Sequence, residues 1–191
     1  MSIATSWGVT AAERDRAYPC DDLPREPGYR LLRGVDVAAP PDVVYRWVSQ
    51  LRAAPYSYDW IDNGGRRSPR RPLPWCWDLQ VGQVVAKVFT IASFVPDEHL
   101  TLRVAPGVGT RAFGDIALSY VVVPVGPTRS RLLGVVRGGA PAGRPLARRF
   151  LTARDRLLAW GDLVMMRKQL RTFAALAEAE HARRADAQSS R

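Results

Sequence analysis

The sequence predicts an α+β protein: a curved antiparallel β-sheet of about six to seven strands wrapped around one long C-terminal α-helix, with two short helices after the first strand. Two observations carry that expectation. From Leu79 to Arg137, apolar residues alternate with polar or small ones in short runs separated by turn residues, the period-2 pattern of half-buried strands. From Leu163 onward, Met166, Leu170, Phe173 and Ala177 follow at spacings of three and four, the stripe of an amphipathic helix. Strands joined by short turns pair antiparallel, and a sheet of this length buries one face, for which the last helix offers a matching surface.

Residues 1–28 show no periodicity and include Pro19, Pro24 and Pro27, so they read as an extended arm lying on the domain. Tyr29, Leu31, Val35 and Val37 form a first strand whose alternation Arg33 interrupts. Pro40-Pro41 then suits the first turn of a helix, where a missing N–H costs nothing, and Val44, Trp47, Val48 and Leu51 continue at helical spacing. A second short helix is expected over Tyr58–Asn63, inside an irregular stretch from Pro55 to Pro74. Further strands are expected over Leu79–Val85 with a bend at Gly82, then Ala86–Val95, Leu100–Val104, Phe113–Val123 and Arg131–Arg137. In the second of these, Val88, Ala92 and Phe94 share one face and Phe89, Ile91 and Val95 the other. Pro145 opens a helix that Trp160-Gly161-Asp162 is expected to break, with Asp162 capping the next. After about Ala182 the polar composition predicts fraying, which leaves an arm over residues 1–28, one domain over residues 29–182 and a tail over 183–191.

Composition narrows the function. With 191 residues, 47% hydrophobic and 24% charged, the chain is sized for one ordinary globular domain. No stretch approaches the roughly 20 apolar residues of a membrane span. The N-terminus has neither a basic start nor an apolar h-region, so no secretory leader is expected and the location reads as cytoplasmic. Cys20 and Cys76 lack zinc-site spacing and read as idle thiols, although a disulfide between them is not decided by sequence. The net charge of +10 is almost wholly arginine, concentrated in Arg66, Arg67, Arg70 and Arg71 and again between Arg129 and Arg156, including Arg144, Arg148, Arg149 and Arg154. Such clusters can hold phosphates, but no nucleic-acid motif accompanies them, so a solvated arginine face is preferred. Hydrolase, metalloprotease and nucleotide-binding signatures are absent. Of the two histidines, His181 lies in the tail and His99 follows a surface turn.

Several phrases resemble a known family. "VDVAAPPDVVYRWVSQL" resembles the first strand and helix of the START-like, or SRPBCC, superfamily. "WGVTAAERDRAYPCDDL", "YSYDWIDN", "DLQVGQ" and "GDLVMMRKQL" are similar to a bacterial, polyketide-cyclase-like branch of it, and together they reach from near residue 7 to near residue 178. Cys20, where a small residue such as glycine is expected, and the Pro72–Trp77 stretch depart from that pattern. The resemblance implies a helix-grip fold, a hydrophobic cavity between sheet and last helix, and no cofactor. It supplies no catalytic residue.

The expected function is therefore binding or transport of a hydrophobic small molecule such as a lipid, polyketide or aromatic metabolite. Tyr56, Tyr58 and Trp60 combine apolar area with a polar handle and suit a pocket mouth, while Trp47, Tyr120, Arg137 and Met166 complete the candidate ligand set. Each has a plainer reading as core or surface. An alternative is a cyclase or dehydratase using Tyr58, Asp59 or Tyr120 as acid or base. A second alternative is a polyanion-binding protein that meets RNA or anionic lipid through its arginine clusters. No metal site is expected.

Overall fold

The computed structural model describes residues 2–24, 27–86, 88–105, 115–139 and 145–190, with side chains described for all of these except Pro27, Asp62, Gly139, residues 145–156 and residue 158. The elements in chain order are β1 (Ser6–Trp7), α1 (Ala11–Asp15), β2 (Pro27–Val37), α2 (Pro41–Ser49), α3 (Asp59–Asp62), β3 (Val84–Val85), β4 (Phe89–Val95), β5 (His99–Val104), β6 (Ile116–Gly126), β7 (Arg129–Gly139) and α4 (Pro145–Ser189), with short 3-10 turns at Gln50–Arg52 and Pro74–Cys76. The sheet has seven strands in the order β1-β2-β7-β6-β5-β4-β3, antiparallel throughout except for the β1–β2 pair. The α+β helix-grip architecture is as the sequence predicts: a curved, unclosed sheet lies against one long C-terminal helix.

Alternation assigns the faces. Leu31, Leu102, Leu118, Val122, Leu132 and Val136 point inward, where they meet Trp47 and Val48 of α2 and Met166, Leu170 and Phe173 of α4. The outer face is buried as well. Leu32, Ala117, Val121, Leu133 and Val135 form a second cluster with Tyr18 and Cys20 of the arm. The stretch expected to be simply extended thus contains β1, which adds to the sheet edge, and α1, held by a capping box in which the Thr10 hydroxyl accepts from Glu13 N–H and the Glu13 carboxylate accepts from Thr10 N–H. Gly8, at φ +67°, lies so close to β2 that a Cβ would come 2.4 Å from the Gly34 carbonyl oxygen.

Four expectations require correction. The helix does not break at Trp160-Gly161-Asp162, because the Asp162 carboxylate is drawn to Arg33 on β2 rather than to a helix N-terminus. The strand expected from Leu79 contracts to Val84–Val85, since Gly82 and Ala86 both adopt positive φ. In β4 an extra residue at Ala92 shifts the register between Ile91 and Ser93, so Ile91 and Phe94 both face inward instead of opposing one another. The polar residues 183–189 stay helical, with Arg184 ion-paired to Glu180 one turn back. Phe113, placed at the start of a strand, lies outside the described residues.

Candidate functional site

A half-open apolar pocket lies between the arm, β2 and α4, toward the N-terminal end of the described part of the helix. It measures about 440 Å³ and is walled by Tyr29 and Leu31 of β2, Ala159 and Trp160 of α4, and Ser2, Ala4 and Thr5 of the arm. Leu31, Ala4 and Ala159 are buried, whereas Trp160 is half exposed at the mouth. Tyr29 reaches this position because β7 carries Gly138 opposite it, and its ring occupies the space where a side chain would stand.

Beside this cavity lies a buried ion pair. The Arg33 guanidinium is wholly enclosed and donates to the carbonyls of Ala4 (2.6 Å), Ala159 (3.2 Å) and Leu32 (3.0 Å), while Asp162 approaches it at 2.9 Å. Two of those carbonyls belong to cavity-wall residues, so Arg33 fixes the arm and α4 around the opening. Burial pushes the Asp162 carboxyl up to about 6 against the opposing pull of Arg33, and burial draws the Arg33 guanidinium down. The sequence signal was present, in the arginine that interrupts the first strand's alternation, but no spacing rule connects it to an aspartate 129 positions later.

The sequence-selected residues are dispersed. Trp47, Tyr56, Tyr120 and Met166 gather in the core rather than on the cavity wall. Trp47 stands edge-on to Tyr56 with ring centroids 6.4 Å apart, Tyr56 meets Phe173 at 5.2 Å, and Phe173 meets Tyr120 edge-on at 6.4 Å. The Tyr120 hydroxyl donates to Gln169 Oε1, and Gln169 in turn donates to the Pro55 carbonyl. Tyr120 thereby has a core partner, and burial raises its pKa, as it does that of Tyr56. Met166 lies over Gly134 of β7, with Sδ 2.9 Å from where a Cβ would be.

The others sit at the surface. Trp60 is exposed and Tyr58 half-buried at the start of α3. The Asp59 carboxylate accepts from the backbone N–H (2.9 Å) and hydroxyl of Ser68, closing a loop at the edge of a separate cleft of about 100 Å³. Arg137 stands on the outer face of β7, the plainer reading of a strand arginine, where its Nε pairs with Asp21 of the arm at 3.1 Å. Arg66, Arg67, Arg70 and Arg71 are all exposed. The side chains of Arg144, Arg148, Arg149, Arg154 and Arg156 lie outside the described residues. His99 is half-buried, 3.5 Å from the Ser93 hydroxyl, with its pKa lowered by burial. Among the described residues no acidic, histidine or cysteine cluster could hold a metal, and no helix is long and apolar enough to cross a membrane.

No protein-family model and no curated protein sequence matches the chain. Among solved structures, a protein from Arthrobacter aurescens is similar with a TM-score of 0.51 at 11% identity, over 78% of this chain and 86% of that one. A START superfamily protein from Mycobacterium smegmatis is similar at 16% identity with a TM-score of 0.37, over 73% of this chain and 97% of its own. CalU16 from Micromonospora echinospora is similar at 15% identity with a TM-score of 0.40, over 78% and 85% respectively. At such identities the likeness concerns architecture alone: a curved seven-stranded sheet gripping one C-terminal helix, the helix-grip arrangement.

Proposed function

We propose that the chain binds a small, largely apolar molecule, such as a lipid, polyketide or aromatic metabolite, in the cavity beside Leu31 and Ala159. The observation that carries this reading is the cavity itself, about 440 Å³ with walls dominated by Leu31, Ala4, Ala159, Tyr29 and the Trp160 ring. That size falls within the range of small-molecule sites. A ligand burying roughly 250 Å² of apolar surface there gains about 6 kcal/mol before the costs of association. The polar groups at its rim are the Ser2 hydroxyl, which accepts from the Ala4 N–H, and the Thr5 hydroxyl, which donates to the Ser2 carbonyl.

The test is native mass spectrometry of freshly purified protein, followed by denaturing extraction of any bound compound. The extracted compound should rebind the wild-type protein and fail to bind Ala159→Phe, whose side chain fills the cavity. Rebinding to a folded Ala159→Phe with unchanged affinity would sink the reading.

A second reading, a cyclase or dehydratase, draws on Asp162, one helical turn beyond Ala159 with its carboxyl pushed up to about 6. A group that changes protonation near neutrality can give and take a proton. Turnover of the extracted compound that inflects near pH 6 and disappears in Asp162→Asn supports it. Turnover untouched by that substitution excludes Asp162 as the acid or base.

A further inference from the structure

Among the described residues, half of the large hydrophobic side chains left at the surface come from one stretch of chain, residues 60–84. Trp60 is 75% exposed, Ile61 and Trp75 are each 55% exposed, and Trp77, Val81 and Val84 join them. The same stretch carries the exposed Arg66, Arg67, Arg70 and Arg71, and residues 63–77 contain no acid. Trp75 and Trp77 flank the buried Cys76 in a 3-10 turn stiffened by Pro72 and Pro74, so both indoles are held outward at little entropic cost. Each is backed by a cation: the Arg52 guanidinium lies 5.3 Å from the Trp75 ring centre and that of Arg46 lies 5.3 Å from Trp77. Arg52 is further anchored by donating to the carbonyls of Trp75 and Asp78.

We propose that this segment docks on an anionic phospholipid bilayer, with the indoles entering the headgroup region and the arginines meeting lipid phosphates. Tryptophan settles at that depth because its ring is apolar and its N–H is not, and arginine beside it keeps its charge at the phosphate level while its stem stays apolar. A basic segment gains further attraction from the negative surface of anionic lipid, and apolar and electrostatic contributions add. Lipid fits better than nucleic acid on two counts. Ile61, Val81 and Val84 are aliphatic surface with no use to a base or a phosphate. One face of Trp75 and one of Trp77 are already taken by an arginine, which leaves each indole at most a single face for a base to stack on. The proposal is independent of what fills the cavity.

The experiment is co-sedimentation with vesicles of phosphatidylcholine alone and of phosphatidylcholine mixed with phosphatidylglycerol, with single-stranded poly(U) as a separate arm. The protein is expected to sediment with the anionic vesicles only and to be released by several hundred millimolar salt. Trp75→Ala/Trp77→Ala, and separately Arg66→Ala/Arg67→Ala/Arg70→Ala/Arg71→Ala, should each weaken vesicle binding by roughly tenfold or more. All six positions are exposed, and unchanged circular dichroism would show that the fold survives. Equal sedimentation with neutral vesicles, no sedimentation with either, or capture by poly(U) without vesicle binding would each overturn the proposal.

Discussion

Arg33 donates to carbonyls from the arm, from its own strand and from α4, and among the described residues its charge is met by Asp162 at 2.9 Å. Removing one partner of such a buried pair leaves an uncompensated charge and costs far more than removing both. Arg33→Met is therefore expected to destabilise the fold by about 3 kcal/mol in urea unfolding, and Arg33→Met/Asp162→Leu to recover most of the loss. If the double variant were as unstable as the single one, the carbonyl contacts rather than the ion pair would account for the cost. The pH dependence has a definite sign. Asp162 holds its proton more tightly in the folded chain, up to about 6 against 3.8. Its contribution to stability is thus full below the unfolded value and is lost as pH rises through the folded one. Relative to Asp162→Asn, the wild type should lose about 2 kcal/mol between roughly pH 4 and pH 7, discounted because the carboxylate keeps a fifth of its surface, and stay level above that. A difference that does not change across this window would show that burial leaves Asp162 unperturbed.

Within the elements, the continuity of α4 through Gly161 makes a prediction of its own. A glycine at a helix break adopts positive φ and resists substitution, whereas one in a helix interior only weakens it. Gly161 has open space around its missing Cβ and no positive φ. Gly161→Ala should accordingly stabilise the protein by about 0.5–1 kcal/mol, read as a raised Tm. A lowered Tm would place a break there after all. Gly8 is the opposite case, with φ +67° and a Cβ position 2.4 Å from the Gly34 oxygen. Gly8→Ala should loosen β1 and the arm behind it. The reporter is Cys20, fully buried and in contact with the Val135 carbonyl, whereas Cys76 is buried elsewhere with its thiol pushed up to about 11. Thiol labelling of Cys20 should accelerate by about tenfold or more while Cys76 keeps its native rate, because local opening of the arm costs less than global unfolding. Equal acceleration at both cysteines would mean that arm and core open together.

For the whole molecule, the two buried faces of the sheet were unequally legible. The inner face follows from periodicity: alternation in β5, β6 and β7 and the stripe Met166, Leu170, Phe173, Ala177 are local patterns that each element imposes on itself. The helix after Pro40-Pro41 and the order of the elements are local in the same sense. The arm's docking was not legible, since Tyr18 and Cys20 bury themselves against residues about a hundred positions away without any periodicity of their own. The bulge at Ala92 was equally hidden, because one extra residue is defined only by the partner strand that lacks it. At the candidate site the sequence identified amphipathic aromatic residues by chemistry, but which of them meet a cavity depends on where facing elements fail to fill space. Tyr120, Phe173, Tyr56 and Trp47 fill the centre, so the opening falls beside Tyr29 at Leu31 and Ala159, two residues whose types alone carry no binding signal. Arg33 and Asp162 show the same division. Each is conspicuous only as a charge out of pattern, and burial, which gives the pair its energy and its shifted proton affinity, exists only once strand and helix have met. By itself, then, the sequence determined which elements form and which stripe each turns inward, because those are properties of neighbours along the chain. Tertiary structure alone decided the register, the covered outer face and the place of the cavity, because those are set by contacts between residues that the chain keeps far apart.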